Sequence, residues 1–334
     1  MNEFQYRDAA LECEDVSLNE VAEAIGTPTY VYSQKILRDS VRQFDKAFAE
    51  IPHLVCYGIK ANSNLTILRR FVEWGVGFDA VSGGELFRAV QAGAVHEQII
   101  LSGVGKTRDE IRYALNTGIL FVSVESSAEV QMIAEVAQET GRTARVVLRV
   151  NPDVDAQTHP YISTGLKSHK FGISFEEAPP LAIEASKLPG IEVVGIGCHI
   201  GSQITDLEPF EEAAESIVAM AADLKDQGLP LQYLDFGGGL GIAYEGETPP
   251  TPKDYADTLI RHSQELGMTL ILEPGRVIVG ASGLLLCRVI RKKTQGHKQF
   301  VIVDAGMNDL IRPSLYGSFH HVLPVRKCEE TEVV

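Results

Sequence analysis

The sequence has few cysteines and no motif that would pair them. Its five cysteines lie far apart, and none belongs to a C-x-x-C pair (Cys13, Cys56, Cys198, Cys287 and Cys328). An odd number of scattered cysteines argues against a disulfide or zinc framework and is typical of reduced thiols in a cytoplasm. No H-E-x-x-H or paired-histidine spacing is present either, so the sequence predicts no metal site.

Positive charge and long apolar runs are also scarce. The formal net charge is −15 and no cluster of five or more basic residues occurs, which argues against binding to nucleic acid or to an anionic membrane. The apolar stretch around residues 276–290 has an uncharged core of about ten residues, too short to span a bilayer. The first ten residues are polar and acidic and lack a signal-peptide core. We therefore expect a cytoplasmic protein.

The sequence does contain a repeat of short apolar strands and amphipathic helices. Residues 128–139, for example, are apolar at i, i+3, i+4 and i+7, which indicates one buried helix face. Eight strands are predicted, at 54–59, 77–81, 98–101, 120–124, 145–150, 192–200, 231–236 and 269–273. Apolar strands that alternate with helices indicate a parallel sheet covered on both faces, and eight units predict an α/β fold of the (β/α)8 TIM-barrel type. A doubly wound open sheet is the alternative, because periodicity does not show closure.

Both ends of the chain fall outside this repeat. Residues 27–33 are predicted to form a strand, and residues 283–306 two strands with a turn near Gly296. We expect these ends to build a second, partial β-rich domain. The predicted domains are an N-terminal segment at 1–33, a barrel at 34–280 and a partial C-terminal β-domain at 281–334.

Polar residues follow most of the predicted strands, at the end of a barrel where active sites form. In strand order they are Lys60, Asp79, Ser102 with Gly103, Glu125, Asn151, His199, the glycine loop 237–239 and the segment 273–276. Loop polarity alone explains Glu125 and Asn151 well. It explains the glycine loop and segment 273–276 poorly, because each follows an almost purely apolar strand. We therefore expect a functional mouth at this end of the barrel.

Each of these features has an ordinary alternative. Lys60 can simply reach for solvent, His199 can be a satisfied core histidine, and Glu273 can form an ion pair. The stretch SGVGKT at 102–107 is a near miss for a P-loop, because Ile100 stands where the first glycine is needed. The sequence GGGLG is not a Rossmann fingerprint, but its glycines would let backbone N–H groups approach an anion closely. GASG at 280–283 lacks the order of a serine-hydrolase elbow.

A lysine, a glycine loop and a carboxylate at one mouth together predict a pyridoxal 5'-phosphate (PLP) site. PLP needs an amine for its Schiff base, donors for its phosphate and an acid for its pyridine nitrogen. A TIM-barrel aldolase with a Schiff-base lysine is the alternative from the residues alone. Such an aldolase would not need the glycine loop and Glu273 together.

Six motifs resemble, in this order and over most of the chain, those of the diaminopimelate decarboxylase family, a fold-type III PLP family. They are YGIKANSN, GFDAVSGGEL, HIGSQ, FGGGLGI, EPGR and DAGMNDLIRPSLYG. The resemblance implies decarboxylation of meso-diaminopimelate to L-lysine and CO2, the last step of lysine biosynthesis. Ornithine and arginine decarboxylases share the architecture, so a decarboxylase of another basic amino acid is an alternative. A non-catalytic PLP-binding protein is another.

The resemblance also implies roles for individual residues. Lys60 and His199 are the catalytic pair: Lys60 forms the Schiff base, and His199 stacks on the PLP ring, whose nitrogen pairs with Glu273. The other implied cofactor contacts are Asp79, Ser202, Gly237, Gly238, Gly239, Pro274, Gly275 and Arg276, and the implied substrate contacts are Arg276, Arg312 and Tyr316. Burial beside a cationic ring is expected to lower the pKa of Lys60.

The resemblance further implies a homodimer with shared active sites. In this family the β-domain carries a Cys-Glu-Ser-x-Asp motif and a later tyrosine that reach into the partner's site. Here Cys328 and Glu329 lack the following Ser and Asp, and we interpret 328–331 as a surface strand segment. The sequence then resembles a fragment, for which we expect PLP binding with little or no turnover.

Overall fold

The computed structural model describes residues 3–154 and 170–327, so the segment 328–331 discussed above lies outside the described residues. The chain forms two compact units. Unit 1 comprises Met1–Ser40, Ala243–Glu247 and Ile278–Val334, and unit 2 comprises Val41–Ile242 and Thr248–Val277. The domain limits proposed from the sequence remain predictions.

The strands of the described residues are short, and each has two to eight residues. In chain order they are β1 (Phe4–Arg7), β2 (Ala10–Cys13), β3 (Val16–Ser17), β4 (Thr29–Tyr32), β5 (His53–Gly58), β6 (Gly77–Ala80), β7 (Ile99–Leu101), β8 (Phe121–Val124), β9 (Ala144–Asn151), β10 (Ile173–Ser174), β11 (Ile191–Gly197), β12 (Tyr233–Asp235), β13 (Thr269–Leu272), β14 (Gly283–Leu286), β15 (Val289–Gln295) and β16 (Lys298–Val303).

Helices alternate with these strands through unit 2. In chain order they are α1 (Leu18–Ile25), α2 (Gln34–Ala47), α3 (Leu65–Glu73), α4 (Gly83–Ala92), α5 (Arg108–Thr117), α6 (Ser127–Thr140), α7 (Ala178–Ala185), α8 (Glu208–Asp226), α9 (Pro252–Ser263), α10 (Arg276–Val279) and α11 (Arg312–Tyr316). Three 3₁₀ turns lie at Ile59–Ala61, His96–Gln98 and Gln264–Leu266. Among the described helices, none combines the length and apolarity needed to cross a membrane.

Unit 2 is a closed parallel barrel, as the repeat predicts. Its strand order is β5-β6-β7-β8-β9-β11-β12-β13, and β13 pairs with β5 again. The seam between β8 and β9 joins Val122 to Val146 and Val124 to Leu148. Because every strand has a parallel neighbour on each side, the doubly wound open sheet is excluded. All eight predicted strands are present, and the carboxyl ends of these strands meet at one mouth.

Local signals explain where the barrel helices begin and end. The side chains of Ser82 and Ser126 accept hydrogen bonds from backbone N–H groups of the first turns of α4 and α6, which satisfies donors that a helix leaves unpaired. Gly93 and Gly141 end the same two helices in the left-handed region, with φ of +91° and +62°. Glycine adopts this conformation without strain.

Unit 1 contains small antiparallel sheets from both ends of the chain. The strands β1, β2 and β3 form one sheet, β4 pairs with β14, and β15 and β16 form a hairpin whose turn contains Gly296 at φ +60°. The predicted strand at 27–33 and the turn near Gly296 are therefore correct. The prediction of two strands in 283–306 is wrong, because the structure has three strands there. The run before Cys287 forms the separate strand β14, which pairs with β4.

The lysine of the SGVGKT stretch is a buried structural group. The Lys106 side chain is 1% exposed, and its Nζ donates hydrogen bonds to the carbonyl oxygens of Gly103 and Ser123, each at 2.6 Å. It also forms an ion pair with Glu129 Oε1 at 2.8 Å. Three acceptors satisfy the ammonium group, so this lysine ties the loop after β7 to β8 and to α6.

We predict that Lys106→Ala destabilises the barrel by roughly 3–5 kcal/mol, because it leaves the Glu129 charge buried and unpaired. Urea unfolding followed by the fluorescence of Trp74, the single tryptophan of the sequence, measures the change. Lys253→Ala is the control, because its ion pair with Asp257 is exposed and contributes little. Equal midpoints for the two variants would contradict the structural role of Lys106.

Candidate active site

Lys60 lies in the 3₁₀ turn that follows β5, at the mouth of the barrel. Its side chain is 49% exposed, and Nζ lies 3.5 Å from Asp79 Oδ2. Desolvation lowers the pKa of Lys60, but the nearby carboxylates of Asp79 and Glu273 outweigh it, so that the net pKa is raised. The lowered pKa expected beside a cationic ring stays a prediction. The Lys60 amine is therefore solvent-accessible and positively charged, and it forms an ion pair with Asp79.

Asp79 holds that position from the neighbouring strand. It lies on β6 with no exposed side-chain surface, and it accepts a hydrogen bond from the Ser102 hydroxyl group, which follows β7. One carboxylate oxygen thus faces Ser102 and the other faces Lys60. A buried carboxylate with partners on both oxygens is fixed in direction, so it fixes the direction of the Lys60 ammonium group as well.

The glycine loop allows a very close approach of backbone segments. Gly237 has φ +62°, and a Cβ there would lie 2.6 Å from His199 Nδ1. Gly239 has φ +115°, and a Cβ there would lie 2.7 Å from the carbonyl oxygen of Gly201. At Gly238 a Cβ would collide with the Glu273 carbonyl group. Only glycine fits at these three positions.

Backbone hydrogen bonds join this loop to its neighbours on both sides. On one side the Glu273 N–H donates to the Gly237 carbonyl oxygen at 2.7 Å, and the Gly58 N–H donates to the Pro274 carbonyl oxygen at 3.1 Å. On the other side Ile204 exchanges bonds of 2.9 Å with Gly239 and Gly241. The loops after β5, β11, β12 and β13 are therefore tied in series around the mouth.

His199 is a neutral imidazole held by the glycine loop. Its Nδ1 accepts a hydrogen bond from the Gly238 N–H at 3.0 Å, so Nδ1 carries no proton. Burial, with the positive charges of Lys60 and Arg149, lowers the pKa of His199 well below its usual value. The structure thus brings His199 to the mouth with Lys60 and in a fixed tautomer.

Glu273 and Asp235 are two buried acids at the base of the mouth. Desolvation raises the pKa of Glu273 well above its usual value, and the charges of Asp235 and Asp79 add to the effect. Desolvation likewise raises the pKa of Asp235 to about 7, although a hydrogen bond from the Gly237 N–H at 2.8 Å lowers it. Two adjacent acids in a dry site cannot both ionise readily.

Arg149 and Glu125 complete the charged groups below the mouth. Arg149 lies on β9, and its Nη1 donates to Glu125 Oε1 at 3.0 Å, with 13% and 3% of the two side chains exposed. Glu125 Oε2 accepts a hydrogen bond from the Gly172 N–H at 2.9 Å. Loop polarity is therefore the wrong explanation of Glu125, because this carboxylate is buried and orients the guanidinium group of Arg149.

These side chains enclose a small polar cavity of about 10 Å³, room for roughly one water molecule. Its lining consists of Ser102, Ser123, Arg149, Gly197, Cys198, His199, Asp235 and Glu273. Sequence reasoning missed Arg149 and Asp235. Each had a signal, since a charged residue interrupts the apolar run of β9 and an acid ends the apolar run of β12 directly before the glycine loop.

The remaining predicted contacts divide between the units. In unit 2, Ser202 lies in the loop after β11, Pro274 and Gly275 follow β13, and Arg276 Nη1 donates to Gln203 Oε1 at 3.2 Å. In unit 1, the Arg312 guanidinium group lies over the rings of Tyr244 and Tyr316, at 5.1 and 5.6 Å from their centroids.

Comparison with known proteins identifies the family. Residues 34–280 match the family model described as pyridoxal-dependent decarboxylase, pyridoxal binding domain. The diaminopimelate decarboxylase of Pseudomonas aeruginosa is 49% identical over 98% of this chain and 79% of its own length. That of Aquifex aeolicus is 47% identical over 99% of this chain and 79% of its own length.

A solved structure agrees with the sequence relatives. The crystal structure of diaminopimelate decarboxylase from Helicobacter pylori complexed with L-lysine superposes with a TM-score of 0.89 and 44% identity, over 91% of this chain and 77% of that chain. The chain therefore belongs to the pyridoxal-dependent decarboxylases and, within them, to the diaminopimelate decarboxylase family.

Proposed function

We propose that this chain is a PLP-dependent carboxy-lyase that converts meso-2,6-diaminopimelate to L-lysine and CO2. The observation that carries the proposal is the grouping of Lys60, Asp79, His199, Glu273 and the glycine loop at one mouth. This grouping occurs in a chain 49% identical to a diaminopimelate decarboxylase. The relative from H. pylori was crystallised with L-lysine, the product expected here.

The residues of the mouth fit PLP. In the described part of the chain, no protein group accepts a hydrogen bond from the backbone N–H of Gly239 or of Gly275, and such open donors suit a phosphate group. We assign phosphate binding to the glycine loop with Ser202, Gly275 and Arg276. Glu273 would hold the ring nitrogen, and His199 would lie against the ring.

The chain's own residues prepare the mouth for decarboxylation. When bound, PLP supplies a ring that accepts the electron pair left on the substrate by departing CO2. Lys60 must lose a proton before its amine acts as a nucleophile, and the Asp79 carboxylate at 3.5 Å holds the ammonium group in place until then. A neutral His199 can cover a positively charged ring without repelling it.

Substrate recognition is assigned to arginines. The distal end of meso-diaminopimelate is a zwitterionic amino acid, and a guanidinium group binds a carboxylate in bidentate geometry. Gln203 holds the guanidinium group of Arg276 from the side, which reduces its freedom before substrate arrives. We propose Arg276, Arg312 and Tyr316 as the residues that contact this end of the substrate.

A substrate panel tests the proposed reaction. We expect any CO2 that this chain releases to come from meso-diaminopimelate at least about a hundredfold faster than from ornithine or arginine, because a site built for a distal carboxylate leaves its arginines unpaired with the other substrates. Labelled CO2 release and chromatographic detection of lysine measure the reaction. Release from ornithine or arginine, but not from diaminopimelate, would assign the chain to another basic amino-acid decarboxylase.

The Lys60→Ala variant tests the role of the mouth. We expect it to lose the visible absorbance of lysine-linked PLP and all detectable lysine formation, because no other amine replaces Nζ. Lys187→Ala, which removes an exposed lysine, is the control and should keep both signals. A lysine-linked chromophore retained by Lys60→Ala would refute the assignment.

We propose a homodimer with shared active sites, on the family resemblance described above. Sedimentation or light scattering should give twice the chain mass of 36.5 kDa, and a monomer with full activity would exclude site sharing.

The cytoplasm is the proposed location, because Cys13, Cys56, Cys198 and Cys287 are free thiols. Cell fractionation checks that location.

A further inference from the structure

We propose that Asp235 is a positioning residue that shares a single proton with Glu273, so that the acid pair presents one negative charge to the cofactor. This inference rests on the proposed function, because it gives Glu273 the ring-nitrogen role. Asp235 itself is the second site for the proton and touches neither substrate nor reacting atoms.

The geometry holds Asp235 in one position. Asp235 is the last residue of β12 and is 5% exposed. Oδ1 accepts the Gly237 N–H at 2.8 Å. A Cβ on Gly197, in the next strand, would collide with the Asp235 backbone and lie 2.5 Å from its Cβ. Asp235 and Glu273 line the same small cavity. Asp235 pairs in register with Ile271, which lies two residues before Glu273, so the side chains of Asp235 and Glu273 lie on the same face of the barrel wall.

The charges around the pair leave it one proton short of full ionisation. Lys60 is paired with Asp79 and Arg149 with Glu125, so both cations of the site are already engaged by carboxylates. Two adjacent acids without a cation of their own retain one proton and titrate as a pair. Desolvation is the main cause of the raised pKa of each acid, and the charge of Asp79 adds to it at both. The charge of Asp235 raises the pKa of Glu273 further, whereas a hydrogen bond with Glu273 lowers the pKa of Asp235.

The titratable and charged groups whose fields act on the pair and its neighbours are Cys56, Lys60, Asp79, Arg149, Cys198 and Tyr255. Asp79 is the other carboxylate near the pair, and its two oxygens already face Ser102 and Lys60. Burial raises the pKa of Cys56, Cys198 and Tyr255, so these groups stay neutral. His199 lines the same cavity and is also neutral. The proton therefore moves only between Asp235 and Glu273.

The two positions of the proton serve two states of the site. Without the cofactor, Glu273 holds the proton and donates it to Asp235. A positive charge beside Glu273 draws the negative charge onto that carboxylate, and the proton passes to Asp235, which then donates to Glu273. No proton has to enter or leave the buried site during this exchange.

Asp235→Asn isolates the shared proton. The amide oxygen of the substituted side chain can still accept the Gly237 N–H, while its NH2 group donates to Glu273 as a protonated aspartic acid would. Glu273→Gln and the double variant complete the set. Ser263→Ala removes a buried hydrogen bond of the same unit and serves as the control for general destabilisation.

The first measurement is the thermal midpoint of the cofactor-free full chain at about pH 6 and about pH 8.5. Because folding raises the pKa of the pair, the folded chain holds more protons than the unfolded chain. Stability is therefore fully present below the unfolded-state pKa values of about 4 and is lost as pH rises through the raised pKa values of the pair. We expect the midpoint of the unsubstituted chain to fall most. Each single variant removes the second ionisation of the pair, so its thermal midpoint falls less between the two pH values. The double variant reduces this fall no further.

The second measurement is PLP affinity, from titration of absorbance or fluorescence. We expect Asp235→Asn to keep affinity within about threefold and Glu273→Gln to lose about tenfold or more, because only the latter removes a charged partner of the cofactor. Ser263→Ala should shift the midpoint equally at both pH values and leave PLP affinity unchanged.

The outcomes distinguish a failure of the shared proton from a failure of the proposed function. Suppose that the thermal midpoint of Asp235→Asn falls with pH as much as that of the unsubstituted chain, while Glu273→Gln loses PLP affinity. The shared proton is then refuted and the proposed function stands. If Glu273→Gln binds PLP normally, the proposed role of Glu273 fails. If Asp235→Asn does not fold, Glu273→Gln decides the question. A thermal midpoint of Glu273→Gln that falls with pH as much as that of the unsubstituted chain overturns the inference.

Discussion

The closure of the parallel sheet by the β8–β9 seam is the constraint on which the site depends. Val122 and Val124 pair with Val146 and Leu148 there, and the ring leaves no strand without two neighbours. All eight carboxyl ends then point to one mouth, so that residues far apart in sequence, such as Lys60 and Glu273, share one small volume. An open sheet would distribute the same side chains along an edge.

The glycine loop converts that shared volume into a rigid site. Because Gly237, Gly238 and Gly239 carry no Cβ, the backbone comes close enough to bond His199 on one side and Glu273 on the other. The His199 ring and the backbone of Glu273 are therefore held by main-chain groups of the loop. Such preorganisation spares the site the free energy of reordering its dipoles when charge develops during reaction.

Sequence reasoning predicted the barrel and much of its mouth because both follow repeating local patterns. The eight strands were apparent from short apolar runs, and Lys60, His199 and Glu273 from their places at strand ends. Asp235 and Arg149 were missed because their importance lies in pairwise contacts across strands, which periodicity does not report. The raised pKa of Lys60 in the chain by itself likewise depends on where Asp79 and Glu273 lie across the strands.

The pairing of β4 with β14 has a consequence for the order in which the chain acquires structure. Tyr32 pairs with Gly283, and almost the whole barrel lies between them in sequence. During synthesis at about 5–20 residues per second, β4 leaves the ribosome on the order of tens of seconds before its partner exists. The barrel strand β5 can pair with β6 before β13 closes the ring, whereas β4 has β14 as its single strand partner among the described residues and must await that distant segment. A strand made early is thus among the last to be paired, and Tyr30, 44% exposed even in the finished sheet, faces water throughout.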